Sequence, residues 1–500
     1  MGSVRAGVFA RNWSSLIVSN IGGQILGMIA IFRIARVLAP QGFGQYQLIL
    51  TVSSIGAVAA GLGLRNVIMR ECARHPGSSE GLLKSSLLAR SWMLAVVSAG
   101  VLLYAGVSGA GLGYGLGAIA VGLLIAQTFW EAVENIAFGN EQMQFSAVIN
   151  LAGATVWVSA AWLVPASWLT PFNVCVAFTV LQYVKTSAYF VVARRKSFFG
   201  VRISTTNSAT SVRWLLRESL PFYWLAVMTV VSNQIPILLL AERSGQAQVG
   251  FFNAGLRLVN PMQMFILTAL TVLYPGLSRS MGSDEEGFMH IVRGALTAIA
   301  IAGSSAAFCI SLFREDLVVL LFGEAFRSAA DAMAFQCWFT VMLGIFSVIG
   351  TVLAARDKQQ SLAILSSIYT AVAIPFLWVG SSHGATGLAI AMILAAFVNF
   401  SYHWVVFQRS LAVKLGFRYA PLLIAISGAG AYASWIIPQN SARLVRLIIF
   451  TCVSVGVGYL AWLKFKRKTG EPLVFAGSDG YVHPSNVASQ TETHKDGSRP

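Results

Sequence analysis

Fourteen apolar runs, each about as long as a membrane-spanning helix, occupy most of this sequence. A helix needs about 20 apolar residues to cross the hydrocarbon core of a bilayer. Charged side chains make up roughly a quarter of a water-soluble domain, but only 11% of this chain. We therefore expect an all-α, polytopic membrane protein. The expected spans are residues 16–34, 46–64, 87–107, 111–130, 145–164, 172–193, 220–241, 249–275, 291–313, 332–355, 362–380, 385–407, 419–437 and 444–463.

The basic residues indicate how these spans are oriented. The chain has 35 Lys and Arg against 19 Asp and Glu, and the basic residues form short clusters between the apolar runs. If the N-terminus is cytoplasmic and the sides alternate, the dense clusters near residues 194–217 and 464–468 both fall in the cytoplasm. Lys and Arg are enriched in cytoplasmic loops. The pattern thus predicts that both termini are cytoplasmic, and it explains the positive charge without a nucleic-acid partner.

The longest loop in the membrane region divides the chain into bundles. We expect an N-terminal bundle of six helices over residues 1–193, a basic cytoplasmic linker over 194–219 and a second bundle of six over 220–407. Two additional helices over 408–468 and a disordered cytoplasmic tail over 469–500 follow. A short repeat, Gly44 and Tyr46 against Gly250 and Phe252, suggests that the bundles are equivalent, with coincidence as the alternative. Repeated bundles commonly enclose a central substrate cavity.

Arg257 is the one charged residue within the eighth apolar run, and Pro261 follows one turn later. An Arg at the centre of a spanning helix costs roughly 2.5 to 3.5 kcal/mol, so it normally faces a wet cavity or a partner. The alternative is that Arg257 lies near one end and extends to the membrane surface. Lys185 in the sixth span would supply a second cation from the other bundle. Such a pair suits a phosphate or another anion.

Further polar residues within the spans are candidate substrate contacts. Arg33 lies near the outer end of the first span, where it either faces the cavity or extends to the interface. Amides in the spans serve substrate contact and interhelical hydrogen bonding equally well. The amide candidates are Asn20, Gln24, Gln234, Asn253 and Asn260.

No catalytic, metal or cofactor site is indicated. The six His and five Cys residues have no metal-ligand spacing, and there is no phosphate-binding loop for nucleotide hydrolysis. Glu131, Glu134 and Glu141 fall on a predicted inner connection, where we interpret them as a solvated extension of a helix.

Several segments resemble a known family. They are GGQILGMIAIFRIARVLAPQGFGQYQLILTVSSIGAVAAGLGLRNVIMRECAR near the N-terminus, VGFFNAGLRLVNPMQMFILTALTVLYPGLSR, LFGEAFRSAADAM and HGATGLAIAMILAAF. Together they resemble bacterial oligosaccharide flippases, the Wzx-like polysaccharide biosynthesis proteins of the multidrug/oligosaccharidyl-lipid/polysaccharide exporter superfamily. The resemblance implies two bundles of six helices around a central cavity, followed by two C-terminal helices.

The resemblance also implies a function. Such a flippase moves undecaprenyl-pyrophosphate-linked oligosaccharide from the inner to the outer leaflet of the bacterial cytoplasmic (inner) membrane by alternating access. The product serves O-antigen, capsule or exopolysaccharide assembly, so membrane lipids and polysaccharide polymerase or ligase machinery are the implied partners. Arg257 matches the basic cavity residues of this family. Pro236 stands where many relatives carry an acidic residue, which argues against ion coupling through the seventh span.

Two other functions are compatible with the composition. A multidrug or metabolite exporter of the same superfamily would want acidic cavity residues for cationic drugs, whereas the charges at depth here are basic. A membrane-bound polysaccharide ligase or polymerase would need a sizeable outer loop with catalytic residues, and the predicted outer loops are short. We therefore expect a transporter rather than an enzyme.

Overall fold

The computed structural model describes residues 2–75, 79–109, 111–195, 211–280, 285–356 and 358–410. These residues form helices and short turns, with no β-strand among them. The helices are α1 (Gly2–Gly61), α2 (Leu64–Arg74), α3 (Ser79–Val107), α4 (Gly113–Gly139), α5 (Met143–Leu163), α6 (Pro171–Arg195), α7 (Val212–Ser244), α8 (Gln246–Ser280), α9 (Glu285–Ala298), α10 (Ser304–Leu312), α11 (Arg314–Phe322), α12 (Ala329–Ala355), α13 (Gln359–Ser381) and α14 (Gly384–Ser410). A π-helical turn, Ile299–Gly303, joins α9 to α10.

The twelve predicted spans before residue 408 all fall on helices. The described residues include ten helical stretches long and apolar enough to cross a membrane, one of which is the 43-residue stretch Ser19–Gly61. The spans predicted at 419–437 and 444–463, the tail and most of the basic linker lie outside the described residues. The chain is thus a multi-pass, all-helical membrane protein, and the total of fourteen spans stays a prediction.

The first two spans are the two parts of α1. Ala39 interrupts this helix with φ 55° and ψ 175°, and Pro40 keeps the preceding residue out of the helical region. Ser19 bonds the Ala147 carbonyl of α5 at 2.8 Å, while Ser53 bonds the Ala120 carbonyl of α4 at 3.0 Å. Since α4 and α5 form a hairpin, the two parts of α1 run in opposite directions.

This hairpin defines two sides of the molecule. We call the side on which α1 begins, near Ser19, the near side, and the side on which α1 turns, at Ala39, the far side. The largest apolar cluster extends through the far half and includes residues of α1, α8 and α12. On the near side, the core residues of α8, α9, the π-helical turn and α12 to α14 form one cluster, and those of α2 to α7 form another. Helices that pack together at the far side are therefore separated at the near side.

Two glycines allow α1 and α8 to touch on the far side. A Cβ on Gly44 would overlap the Gln246 carbonyl, and a Cβ on Gly250 would overlap the Pro40 carbonyl. Tyr46 and Phe252, the aromatic residues of the predicted repeat, are 2% and 1% exposed. The two copies of the repeat thus meet at one helix crossing, where only glycine fits.

Aromatic rings and one arginine add to this contact. Phe43 of α1 packs against Phe322 and Phe326 at centroid distances of 6.3 and 5.8 Å. Arg36 of α1 donates from Nε to the Leu321 carbonyl at 3.0 Å and from Nη2 to the Leu320 carbonyl. The helix crossing, the rings and this arginine together close the far side.

Candidate functional site

A cavity of about 940 Å³ lies in the near-side half of the molecule. The near-side part of α1 and the middle of α8 form two of its walls, and α4, α5 and α6 supply the others. The cavity therefore lies between the two near-side clusters. The crossing of α1 and α8 separates it from the far side. A pocket among spanning helices, lined by a few convergent polar groups, is the usual form of a transporter site.

Arg257 faces this cavity from α8. Its Nη2 lies 3.5 Å from Oε1 of Gln47 on α1, and no carboxylate pairs with it in the described part of the chain. The alternative that Arg257 extends to the membrane surface is thus not what the structure shows. The backbone of α8 continues through Pro261 as one helix. A guanidinium with a single long hydrogen bond keeps most of its N–H donors available for a ligand.

Lys185 faces the same cavity from α6. Its Nζ lies 3.8 Å above the centroid of the Trp130 ring on α4. A cation over an indole face is stabilised by about 0.5 to 2 kcal/mol, depending on how far it is desolvated. Among the described residues, no carboxylate forms an ion pair with Lys185. Two cations without ion-pair partners thus line one membrane-embedded cavity.

Three of the predicted amide residues also line the cavity. Asn20 and Gln24 lie one turn apart on α1, and Asn260 follows Arg257 by three residues on α8. Residues three or four apart share a helix face, so this placement follows directly from the spacing in the sequence. None of the described lining residues carries a carboxylate. The wall is cationic, amide-rich and suited to an anionic, hydroxyl-bearing ligand.

The other three predicted residues lie away from this cavity. Arg33 stacks over Trp162, with its Cζ 5.8 Å from the ring centroid. Asn253 is buried and donates to the Val249 carbonyl of its own helix at 3.0 Å. Gln234 is half-buried on α7, which contributes no residue to the cavity. Arg33 and Asn253 thus contact a ring and a backbone carbonyl instead of the cavity, and the helix that carries Gln234 is not part of the described cavity wall.

The prediction missed several lining residues. The aromatic residues Trp130, Trp157 and Phe178 and the amides Asn150 and Gln182 belong to the wall. Gln182 and Lys185 are three residues apart on α6, so the spacing around Lys185 contained this signal. The aromatic residues carried no such signal, because aromatic rings in a spanning helix are as common in the core as at a ligand site.

Glu134 contradicts the prediction of a solvated helix extension. It is 5% exposed on α4, where Ser146 donates to its Oε1, Tyr189 donates at 3.0 Å and Asn150 approaches within 3.4 Å. Glu131 lies 3.7 Å from the buried Arg90. The prediction failed because α4 continues to Gly139 inside the bundle. A carboxylate therefore lies one side chain behind the cavity wall.

Sequence comparison shows that this chain is similar to polysaccharide and glycan biosynthesis proteins. Residues 9–281 match the polysaccharide biosynthesis protein family. The probable low-salt glycan biosynthesis flippase Agl15 of Haloferax volcanii is 22% identical over 423 residues, which cover 83% of this chain and 86% of that protein.

Two solved structures are similar in fold. The lipid II flippase MurJ in an inward closed conformation has a TM-score of 0.65 at 12% identity and covers 91% of this chain and 99% of its own. An inward-facing multidrug resistance MATE family transporter of the MOP superfamily has a TM-score of 0.63 at 13% identity. It covers 78% of this chain and 95% of its own. At these identities the likeness concerns the fold alone.

Proposed function

Because this chain belongs to the polysaccharide biosynthesis protein family, we propose that it is a flippase that carries lipid-linked oligosaccharide from one membrane leaflet to the other. The observation that carries the proposal is the cavity itself. It combines two cations with amide and aromatic side chains inside the membrane, and no described carboxylate lines it. A glycan relative named as a flippase supports the same function.

The cavity wall matches the chemistry of the proposed head group. A pyrophosphate offers acceptor oxygens that a guanidinium binds through paired hydrogen bonds and that an ammonium binds as a point charge. The wall amides bind sugar hydroxyls, and the rings of Trp157 and Phe178 cover the apolar faces of the sugars. The polyprenyl tail stays in lipid, since burial in protein would bring it no gain. We propose that Arg257, Lys185, Asn20, Gln24 and Asn260 bind the head group.

We assign the near side to the cytoplasm, because the basic clusters then obey the positive-inside pattern. In the resulting cycle, an undecaprenyl-pyrophosphate-linked oligosaccharide enters the cavity from the inner leaflet of the cytoplasmic membrane. The far-side crossing then separates, and the head group leaves toward the outer leaflet. No covalent bond is formed or broken. The product supplies the polysaccharide polymerase and ligase machinery on the far side.

Transport in proteoliposomes tests this function. A lectin or a sugar-cleaving enzyme added outside reports which leaflet holds the lipid-linked oligosaccharide. We expect wild type to exchange the two pools, and Arg257→Ala and Lys185→Ala each to slow exchange by about tenfold or more, because hydrogen bonds to charged groups contribute about 1.5 to 3 kcal/mol. Arg243→Ala is the matched control, since Arg243 also lies over an indole ring, at 4.3 Å, but outside the cavity.

Two results would contradict the proposal. Equal rates for wild type and both cavity variants, at equal membrane abundance, would remove the basic site. Movement of organic cations without any movement of lipid-linked glycan would favour the exporter function instead.

A further inference from the structure

Gln47 is a buried amide that lies between the far-side crossing and the cavity. It follows Gly44 by about one turn of α1 and is 3% exposed. Its Oε1 lies 3.5 Å from Nη2 of Arg257, and its buried Nε2 has no hydrogen-bond partner in the described part of the chain. Buried polar groups are normally hydrogen-bonded. Packing alone therefore does not explain why an amide, and not an apolar side chain, occupies this position.

Gln47 and Arg257 connect the crossing of α1 and α8 to the cavity. The crossing itself is the backbone contact at Gly44 and Gly250. Gln47 lies three residues beyond it on α1, and Arg257 lies seven residues beyond it on α8, which is about two turns. Arg257 also lines the cavity. One side chain thus touches both the helix that must separate for the far side to open and the space that a ligand would occupy.

The contact between these two side chains is weak enough to be replaced. A separation of 3.5 Å is beyond the usual range for an N–H donor and an oxygen acceptor. An anion forms shorter, charge-assisted hydrogen bonds with a guanidinium, which are roughly twice as strong as bonds between neutral groups. A carboxylate at position 47 would instead hold Arg257 in an ion pair, and an apolar side chain would not hold it at all.

We propose that Gln47 is a positioning residue that couples head-group binding to the opening of the far side. In the empty cavity, Gln47 orients the Arg257 guanidinium, and the contact adds to the closed crossing. A bound anion replaces Gln47 at Arg257. Gln47 then stays buried beside the crossing without a partner, which destabilises the closed arrangement.

Head-group binding and far-side opening therefore favour each other, because linkage between two equilibria is reciprocal. The free protein stays closed on the far side because the Gln47 contact is intact. This inference rests on the proposed function, since it requires an anionic head group in this cavity.

Cysteine labelling with and without farnesyl pyrophosphate tests the coupling. Thr51 is buried and lies one turn beyond Gln47 on α1. A Thr51→Cys reporter in purified protein should therefore react with a maleimide when α1 separates from its neighbours. We expect saturating farnesyl pyrophosphate to accelerate labelling about threefold to tenfold, the factor that corresponds to the loss of one hydrogen bond. The protein without the reporter, labelled in parallel, gives the background of the native cysteines.

Two substitutions of Gln47 in the reporter protein should act in opposite directions. Gln47→Leu removes the contact, so labelling should be fast without ligand and should gain little from farnesyl pyrophosphate. Gln47→Glu places a carboxylate against Arg257, so labelling should be slow. By calorimetric titration, this variant should also bind farnesyl pyrophosphate at least about tenfold more weakly, because the carboxylate competes for the guanidinium. General damage to packing would accelerate labelling in both variants.

Gln336→Leu is the matched control. Gln336 is a second buried glutamine, and its Nε2 donates to the Phe252 carbonyl of α8 at 3.0 Å. Its hydrogen bond connects α8 to α12 and does not involve Arg257. We expect this variant to keep the acceleration by farnesyl pyrophosphate that the reporter protein shows.

The possible failures are distinguishable. Binding of farnesyl pyrophosphate without any change in labelling of the reporter protein would overturn the coupling and leave the proposed function intact, even if Gln47→Leu failed to fold. An equal response to the ligand in Gln47→Leu would overturn the role of Gln47. No binding of farnesyl pyrophosphate to wild type would overturn the head-group site and the coupling together.

Discussion

The Lys185 ammonium lies over an indole face. This contact restricts the conformations of a long and flexible side chain. The Trp130 ring belongs to α4 and lines the cavity next to it. A lysine free to rotate would lose side-chain entropy of up to about 2 kcal/mol on binding an anion. The ring reduces this loss because it places the charge before the ligand arrives.

Shortening Trp130 tests this role. We expect Trp130→Ala to weaken binding of farnesyl pyrophosphate by about threefold to tenfold, because a cation over an aromatic ring gains about 0.5 to 2 kcal/mol. Trp130→Phe keeps an aromatic face and should retain part of the affinity. Calorimetric titration gives both values.

Trp92→Ala serves as the control, because Trp92 is 76% exposed on the outside of α3. Equal affinity in wild type and Trp130→Ala would show that the ring does not position Lys185.

Charged residues that lie within the bilayer can be identified from the sequence, because the free-energy cost of inserting them depends on the residue type and on the bilayer. Arg257 and Lys185 therefore stand out from the sequence alone, and both line the cavity. Glu134 does not stand out, since its compensation comes from residues 12 and 55 positions away. Only the fold brings these donors together. The sequence alone therefore predicts a solvent-exposed position for the Glu134 carboxylate.

At the scale of elements, the crossing of α1 and α8 is the contact that must separate for the far side to open. It consists of backbone against backbone, since Gly44 and Gly250 leave no room for a side chain. Close packing of small residues is how helices associate in a membrane without a hydrophobic driving force. The crossing can thus be tight when closed and still separate without extracting a large side chain from a pocket.

We expect Gly250→Ala to increase the distance between α1 and α8 at this crossing. The added methyl group overlaps the Pro40 carbonyl, and overpacking of this kind costs about 1 to 3 kcal/mol. Thr51 is 4% exposed and lies about two helical turns from Gly44 on α1. A Thr51→Cys reporter should then react with a membrane-impermeant maleimide from the far side at least about fivefold faster.

The matched control is Gly100→Ala, where a methyl group meets nothing within 4 Å. An unchanged labelling rate in Gly250→Ala would mean that the crossing does not control access from the far side.

Apolar length predicts the helices because the bilayer sets it, and the first twelve spans were found this way. The same criterion misses α2, an amphipathic helix of 11 residues, and α11, a helix of 9 residues. It also cannot show that the weak repeat around Gly44 and Gly250 marks a contact. Two short matching segments acquire a meaning only when the fold brings them together.

At the scale of the whole molecule, the direction of transport depends on which side faces the cytoplasm. The proposed assignment follows from the basic clusters, and labelling of single cysteines tests it. Ser382→Cys, in the exposed turn between α13 and α14 on the far side, should react with an impermeant maleimide in intact cells. Glu141→Cys, in the exposed near-side turn after α4, should react only after permeabilisation.

The native cysteines set the background of this measurement. Burial raises the pKa of the Cys72 thiol to about 11, so it stays protonated and slow to alkylate near neutral pH. Cys175 and Cys337 are buried as well, and the cysteine-containing wild type is measured in parallel. The reverse labelling pattern would invert the proposed direction.

The Arg36 contact at the far side has a consequence for how the protein can vary. Its acceptors are main-chain carbonyls of Leu320 and Leu321, which every amino acid provides. Substitutions at these two positions therefore leave the acceptors in place, and Leu320, 68% exposed, is free to follow the lipid around it. Among the residues of this contact, only Arg36 contributes a side chain, so only its substitution removes the hydrogen bonds.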